Sequence, residues 1–494
     1  MIELIDRAYQ QSDRRAILSD GASFTYRDVL DRSATIATWL LHDQDDLLES
    51  RVAYMISPGY DYVTVQWAIW RAGGIAVPLC TAHPLPSLQY TIEDSDASIL
   101  IISREYLPIL EDWAKYKGMR ILCIEDVHRV PSSHKRLPDI TPTRRAMILY
   151  TSGTTNLPKG VVTTHTNITA QISTLVSCWE WASSDHILCV LPLHHVHGII
   201  NVVSCALWSG ATVEFLPAFS ASSVFEKILG GRINLFMAVP TIYFKLIAYW
   251  ESLPAEQQTL ITTHLSRFRL MVSGSAALPE SIMQKWKSIS GHTLLERYGM
   301  TEIGMGISNP YRGERKPGYI GLPLPGVSVR LADENNNVVP DDIPGEIQIK
   351  GGNVFHEYWR KPDATAKSFT PDGWFKTGDI GIVEQGYYKI LGRDSVDIIK
   401  SGGYKISALE IEEVLRTHPT VIDCSVIGIA DEEWGELVAA VLILKEKPGD
   451  MELLHQWIRT KLPAYKCPRR YKIIEELPRN AMGKVTKNEL KNLF

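Results

Sequence analysis

At 494 residues the chain is about three times the length of a common domain, so two or three domains are expected. Hydrophobic residues make up 45% and charged residues 22%, which excludes an intrinsically disordered chain and supplies apolar material for large cores. With 51 Lys+Arg against 56 Asp+Glu and a formal net charge of -5, the chain lacks the basic excess that wholesale binding to nucleic acid or an acidic membrane requires.

The first twenty residues contain no positive stretch followed by an apolar run, so they do not read as a secretory signal, and their acidic residues argue against a transit peptide. In the first two-thirds of the chain, short β-branched runs alternate with amphipathic stretches: 52–57 is followed by 60–71, then by 75–79 and 98–103. This rhythm predicts βαβ units and a mainly parallel sheet covered by helices. The apolar stretch at 199–207 falls far below the ~20 residues of a membrane span. After Pro317, turns such as Asp333-Glu334-Asn335-Asn336-Asn337 and Gln385-Gly386 punctuate strand candidates at 345–350 and 387–391, predicting a β-rich subdomain over about 317–393. Beyond it, a helix at 408–417, strands at 424–429 and 438–444, a helix at 451–461 and a polar tail predict a compact α+β unit. The fold class is therefore α/β, with a large N-terminal domain of βαβ-type sheets over 1–393 and a small C-terminal domain over 394–494. The seven cysteines (Cys80, Cys123, Cys178, Cys189, Cys205, Cys424 and Cys467) are scattered with no C-x-x-C pair. That usage suits a reducing compartment, and the cytoplasm is the expected location.

The richest stretch is Tyr150-Thr-Ser-Gly-Thr-Thr-Asn-Leu-Pro-Lys-Gly160, after a strand candidate at 146–150. Hydroxyls of Thr151, Ser152, Thr154 and Thr155, the backbone at Gly153 and the charge of Lys159 suit phosphate oxygens; a polar surface turn is the alternative. It is not a Walker A loop, because Lys159 precedes Gly160 and no G-K-[ST] occurs there. In residue order it resembles the T-S-G-[ST]-T-G-x-P-K-G signature of the adenylate-forming enzymes (acyl-CoA synthetases, adenylation domains and luciferases). Asn156 replaces the usual glycine, and asparagine tolerates a left-handed backbone better than most residues. Further elements follow in the family's order: Leu295-Glu-Arg-Tyr-Gly-Met-Thr-Glu302, Lys376-Thr-Gly-Asp379, Gly392-Arg393, Gly402-Gly403-Tyr404-Lys405-Ile406 and Arg479-Asn-Ala-Met-Gly-Lys484.

The resemblance implies a reaction in two steps. A carboxylate attacks the α-phosphorus of ATP, pyrophosphate leaves, and the acyl-adenylate passes its acyl group to CoA. ATP and CoA are the expected co-substrates and Mg²⁺ the expected metal, held by Glu302 with Thr154. By the same resemblance Lys484 bridges carboxylate, ribose and α-phosphate oxygens, Asp379 accepts the ribose hydroxyls, and Arg393 contacts ribose or phosphate. Ser273, Gly274, Ser275 and Ala276, together with Tyr298, Gly299, Met300 and Thr301, surround the adenine and phosphates, Tyr298 stacking on the ring. Gly402, Gly403 and Tyr404 admit the pantetheine arm once the small domain rotates about a hinge at Asp394 or Ser395, with Asp397 nearby. The structural alternatives are a solvated tail lysine for Lys484, a turn aspartate for Asp379 and a structural turn at Gly274.

Leu191-Pro-Leu-His-His-Val-His-Gly198 resembles the family's acyl-side element. His194, His195 and His197 lie close together, but zinc wants a fourth ligand, and Cys189 sits in an apolar, strand-like run that suits a buried thiol. His197 is expected to orient substrate or ATP, with a satisfied structural histidine as the alternative. Arg297 is the sharper clue. If 295–298 is a strand, Arg297 and Tyr298 face opposite ways, and a buried guanidinium needs an anion. A second substrate carboxylate would supply one bidentately, worth about 1.5–3 kcal/mol; an internal salt bridge to Glu296 or Glu302 is the alternative. The residues around Arg297, with Ser273, Met305 and 193–199, resemble the malonyl-CoA synthetases. That implies malonate as the carboxylate, methylmalonate as a second substrate, and Val196 and Met305 limiting room at C2. The competing readings are a ligase for medium-chain or aromatic acids, an adenylation enzyme loading a carrier protein, and a non-catalytic nucleotide-binding protein. The basic cluster at 466–472 reads as a solvated face or a contact for CoA phosphates, so no nucleic-acid partner is expected, and the sequence sets no oligomeric state.

Overall fold

The computed structural model describes residues 2–129, 136–151, 157–445, 451–480 and 483–494. Among them, four β-sheets carry the architecture. A nine-stranded sheet runs, in spatial order, Leu322–Pro323, Gly304–Ser308, Leu295–Met300, Leu270–Ser273, Leu235–Ala238, His186–Cys189, Thr212–Phe215, Arg15–Ser19 and Ala22–Thr25. A seven-stranded sheet runs Glu357–Tyr358, Lys159–Thr164, Arg145–Thr151, Ile75–Pro78, Arg51–Met55, Ile99–Ile102 and Arg120–Cys123. The central pairings of both are parallel, as the alternating β-branched and helical stretches predict.

Burial explains why those strands read as continuous apolar runs. Ile75–Pro78, Ile99–Ile102 and Leu235–Ala238 are buried at every position because helices cover both faces. The stretch at 60–71 does form a helix, Tyr60–Arg71, but not an amphipathic one: Tyr62 to Trp70 are all buried. It lies within the main apolar core and beside the helix Tyr26–Leu41, so its polar members find partners inside. Gln66 donates to Tyr54 Oη at 3.1 Å, Thr64 donates to the Asp61 carbonyl at 3.1 Å, and Trp70 Nε1 donates to the Ala146 carbonyl at 2.8 Å.

The β-rich region forms an antiparallel four-stranded sheet, Val327–Ala332, Gly345–Gly351, Phe375–Glu384 and Tyr387–Arg393. The last sheet comprises Tyr404–Ser407, Ile398–Ser401, Gly435–Leu444 and Val421–Asp431, with Arg470–Ile473 alongside Gly435–Leu444. Its two long strands overrun the expected 424–429 and 438–444, because the hairpin keeps its ladder through polar Asp431 and Gly435. The helix expected at 451–461 ends at Arg459, ahead of Pro463, which disfavours helical backbone at its approach. Between Tyr387–Arg393 and Ile398–Ser401 lies the short turn that contains Asp394. No helix among the described residues is long and apolar enough to cross a membrane, and all seven cysteines are free.

Strand Leu270–Ser273, whose end opens the loop at Gly274, is backed by aromatic packing. Trp286 on helix Glu280–Ser290 meets Tyr243 edge-on, with ring centroids 5.0 Å apart, and the Tyr243 hydroxyl donates to the Val272 carbonyl at 2.9 Å. Trp286→Ala is expected to cost about 3–5 kcal/mol and Tyr243→Phe about 1 kcal/mol, read from the shift of the denaturant midpoint.

Candidate active site

Strand Leu295–Met300 pairs in parallel with Leu270–Ser273 and antiparallel with Gly304–Ser308. Strand alternation puts Arg297 and Tyr298 on opposite faces. Arg297 is buried at 3% exposure, and its guanidinium lies flat against Gly274: a Cβ there would meet Arg297 Cζ and Nη1 at 2.4 Å. Only glycine leaves room for that approach. Arg297 Nη2 reaches Ser275 Oγ at 3.5 Å, a long contact, and Nε has no hydrogen-bond partner among the described residues. No ion pair joins it to Glu296 or Glu302. Glu296 Oε1 accepts from the Leu278 amide at 3.1 Å while its buried Oε2 has no partner among the described residues, and Glu302 Oε1 accepts from the Tyr358 hydroxyl at 2.9 Å. Burial drives both members of the 296–297 pair toward neutrality, pushing Glu296 up to about 8 and Arg297 down to about 9.

Ser275 adopts a left-handed backbone, φ 70°, which aims its hydroxyl between Arg297 and His197 Nδ1, 3.1 Å away. His197 opens the π-helix His197–Ser204, a rare backbone form frequent at functional sites. Nε2 of His194, His195 and His197 is buried in each case and has no partner among the described residues. The His194 ring lies 4.0 Å from that of His195 and 5.8 Å from that of His83. Burial, reinforced by neighbouring positive charge, holds His194 down to about 2, His195 down to about 4 and His197 well below the ordinary imidazole range. The cluster is therefore neutral and offers donors and acceptors rather than charge. Cys189 is a buried thiol on His186–Cys189, pushed up to about 12 by burial.

Across the cleft, Tyr298 donates to Asp379 Oδ2 at 2.6 Å and Arg393 Nε donates to Asp379 Oδ1 at 3.0 Å, the two strands pairing Asp379 with Arg393. Each carboxylate oxygen retains a lone pair after its one bond, enough to accept a pair of vicinal hydroxyls. Thr377 completes the corner, its Oγ1 accepting from the Asp379 amide at 3.1 Å and its carbonyl accepting from Arg393 Nη2 at 3.2 Å. Glu302, 6% exposed, is pushed up by burial against the pull of the Tyr358 hydroxyl and the charges of Arg393 and Lys159. Lys159 Nζ stands 4.8 Å over the Tyr358 ring.

Lys484 arrives from the other end of the chain. Its loop closes on itself, Asn480 N donating to the Lys484 carbonyl at 2.9 Å and Gly483 N to the Asn480 carbonyl at 2.8 Å. Gly483 docks so closely on helix Pro240–Glu251 that a Cβ there would stand 2.9 Å from Thr241 Oγ1. Lys484 is exposed as a residue, while protein crowds its ammonium. Its pKa is lowered, first by the protein crowded around it and then by Arg393 and Arg297, with Asp379 and Asp397 pulling the other way. Lys159, Arg297, Arg393 and Lys484 thus converge with two carboxylates, Glu302 and Asp379, an excess of positive charge suited to polyanions.

Residues 4–359 match the AMP-binding enzyme family, and residues 410–484 match the AMP-binding enzyme C-terminal domain. The chain belongs to the AMP-binding enzyme family. It is 44% identical to the mitochondrial malonate–CoA ligase of Mus musculus over 98% of this chain and 89% of that one. It also superimposes on ATP-bound MatB from Rhodopseudomonas palustris with a TM-score of 0.92 at 32% identity, covering 100% of this chain and 98% of that chain. Against apo MatB from the same organism, at the same identity and coverages, the TM-score is 0.82. As a whole the structure is nearer the ATP-bound form than the apo form.

Thr151 ends strand Arg145–Thr151 opposite Lys159, whereas Ser152, Gly153, Thr154, Thr155 and Asn156 lie outside the described residues. Ser273, its Oγ buried without a partner, and exposed Ala276 flank Gly274 and Ser275. Met300 and Thr301 turn the chain toward Glu302, and Met305 presses so closely on Gly299 that a Cβ there would meet Met305 Cε at 2.4 Å. Val196 is half-buried against the main core. Gly402 and Gly403 form a left-handed turn packed on Trp434, and Tyr404 stacks on Tyr465 with centroids 4.5 Å apart. Asp394 and Ser395 occupy the turn after Arg393. Sequence reasoning missed Tyr358, which reaches the cleft through strand pairing that no local signal announces, and gave no role to Thr377, although it stands inside the Lys376-Thr-Gly-Asp379 motif.

The neutral histidines carry a pH signature. His165, buried and held down to about 3, joins His194, His195 and His197 in refusing protons that the unfolded chain binds below about pH 6.5. Stability is therefore lost as pH falls through 6.5, by about 1.4 kcal/mol per pH unit for each imidazole. Glu296 and Glu302, whose pKa values are raised, act in the opposite sense but are outnumbered. Urea midpoints taken from pH 7 to pH 5 should fall steadily.

Proposed function

We propose that the chain is an ATP-dependent malonate–CoA ligase, converting malonate, ATP and CoA to malonyl-CoA, AMP and diphosphate through malonyl-adenylate. The observation that carries the choice of carboxylate is the buried Arg297 guanidinium, whose Nε has no partner among the described residues and to which those residues offer a hydroxyl but no ion pair. One carboxylate of a dicarboxylic acid would satisfy it bidentately while the other attacks ATP. A monocarboxylate would leave that charge buried and unpaired. Ser275, His197 and Ser273 line the same corner and orient the bound acid, and Val196 and Met305 bound the space at C2, where methylmalonate would add one methyl.

The remaining residues take roles that follow from their placement. Asp379, held by Tyr298 and Arg393, accepts the ribose hydroxyls, and Tyr298, anchored through its hydroxyl, presents its ring toward the base. Gly274, Ser275, Ala276, Gly299, Met300 and Thr301 let backbone approach the nucleotide, and Thr151 with Lys159 flanks the phosphates. Lys484 and Arg393 stabilise the negative charge that builds on the phosphate oxygens as pyrophosphate leaves. Glu302 fits a magnesium ion. It is a hard oxygen donor, buried, with its charged form disfavoured by that burial, and a divalent cation would relieve the penalty. Bound there, Mg²⁺ would supply charge neutralisation on the departing phosphates. Gly402, Gly403 and Tyr404 receive the pantetheine arm, and we place the boundary between a large domain, 1–393, and a small one, 394–494, at the turn holding Asp394 and Ser395. Seven free thiols suit a reducing compartment, and we place the chain in the cytoplasm, to be checked by fractionation.

The test is CoA-dependent AMP formation across malonate, methylmalonate, succinate, acetate, octanoate and benzoate, with Arg297→Ala alongside. Malonate should dominate, and the substitution should lower its kcat/KM by ~10²–10⁴. Preference for octanoate or benzoate would make Arg297 a structural residue and overturn the choice of substrate.

A further inference from the structure

Asp397 stands outside every role assigned so far, yet it joins two parts of the cleft. Its Oδ2 accepts from the backbone N–H of Arg393 at 3.1 Å, and its Oδ1 pairs with Lys487 Nζ at 2.7 Å. Lys487, 9% exposed, lies three residues beyond Lys484 and pairs also with Glu412 Oε1 at 2.8 Å. Glu412 in turn accepts from the Val426 amide at 2.8 Å and faces Arg416 at 3.4 Å, so the ammonium is seated in the core of the small unit. On the other side, Arg393 ends strand Tyr387–Arg393 and binds Asp379. The turn is drawn tight, with the amides of Val396 and Asp397 both donating to the Arg393 carbonyl, at 3.0 and 2.7 Å. Gly392, at φ 138°, leaves space for it: a Cβ there would stand 2.5 Å from Asp397 Cβ.

We propose that Asp397 is a positioning residue for adenylate formation, its single carboxylate fixing the Lys484 loop, through Lys487, to the Arg393–Asp379 pair. The inference rests on the ligase reading above. A carboxylate that accepts from a backbone N–H and faces an ammonium at ion-pair distance, largely out of water, tolerates little displacement. Lys484 acts where charge builds on phosphate oxygens, so slack in this bridge weakens the first half-reaction. Attack of the CoA thiol on an adenylate already formed does not call on that contact.

The half-reactions separate the two. Malonate-dependent exchange of pyrophosphate into ATP without CoA reads adenylation, and single-turnover transfer to CoA from adenylate preformed on the enzyme reads the second step. Asp397→Asn keeps the shape and the acceptor for Arg393 but loses the charge facing Lys487; Lys487→Met removes the other end. Each should lower exchange about 10- to 100-fold while leaving transfer to CoA within about 2-fold, and Lys487→Arg should recover most of the exchange. Exchange within about 2-fold of the unaltered protein, or a proportional fall in both half-reactions, overturns the positioning role. Asp397→Asn is the milder change and is decisive alone if Lys487→Met does not fold; loss of fold in both also counts against it. Absence of malonate-dependent exchange in the unaltered protein would instead refute the ligase reading.

Discussion

A buried guanidinium, Arg297, with no ion-pair partner among the described residues is the constraint around which the cleft is arranged. Arg297 has its two chain neighbours in the role of spectators: Glu296 points away and is itself driven toward its protonated form, and Tyr298 faces Asp379. Such a charge is costly to bury, and the fold keeps it because strand Leu295–Met300 lies inside a sheet whose parallel neighbour ends at Gly274. The missing Cβ at 274, the left-handed Ser275 and the neutral His197 are consequences of making room beside that side chain without neutralising it.

The cleft divides its electrostatic work by position. Around Arg297 the imidazoles are stripped of charge by burial, so the acyl corner presents one cation and several neutral hydrogen-bonding groups. Toward the side proposed for the nucleotide, Lys159, Arg393 and Lys484 gather about Glu302 and Asp379, an excess of positive charge that suits polyanions. Three sheets and a loop close to the C-terminus meet there. Each contributes from a strand end or a turn, where side chains and backbone groups are free to face a ligand while the strands behind them stay rigid.

Much of this was legible in the chain, for identifiable reasons. The βαβ rhythm, the antiparallel region beginning beyond Pro317 and the α+β unit near the end are local patterns of burial and turn chemistry, and they survive into the structure with boundaries displaced by a few residues. The helix Tyr60–Arg71 was legible as a helix but not as a fully buried one, since nothing in its sequence announces that its polar members, Thr64 and Gln66, meet partners inside the core. Cleft residues inside contiguous motifs (Arg297, Tyr298, Glu302, Asp379, Arg393 and Lys484) could be picked out because their neighbours in sequence mark them. Tyr358 could not, and Thr377 was marked by its motif without a role.

By itself, the sequence determined the family, the order of elements and the identity of most of the groups that gather in the cleft, because these depend on residue type and short spacing. Only the tertiary structure decided which of those groups are paired. Whether Arg297 meets a carboxylate, whether three adjacent histidines are charged, and whether Asp397 reaches both Arg393 and Lys487 depend on distances between segments far apart in the chain. Charge and hydrogen bonding act over a few ångströms, and only packing sets those separations.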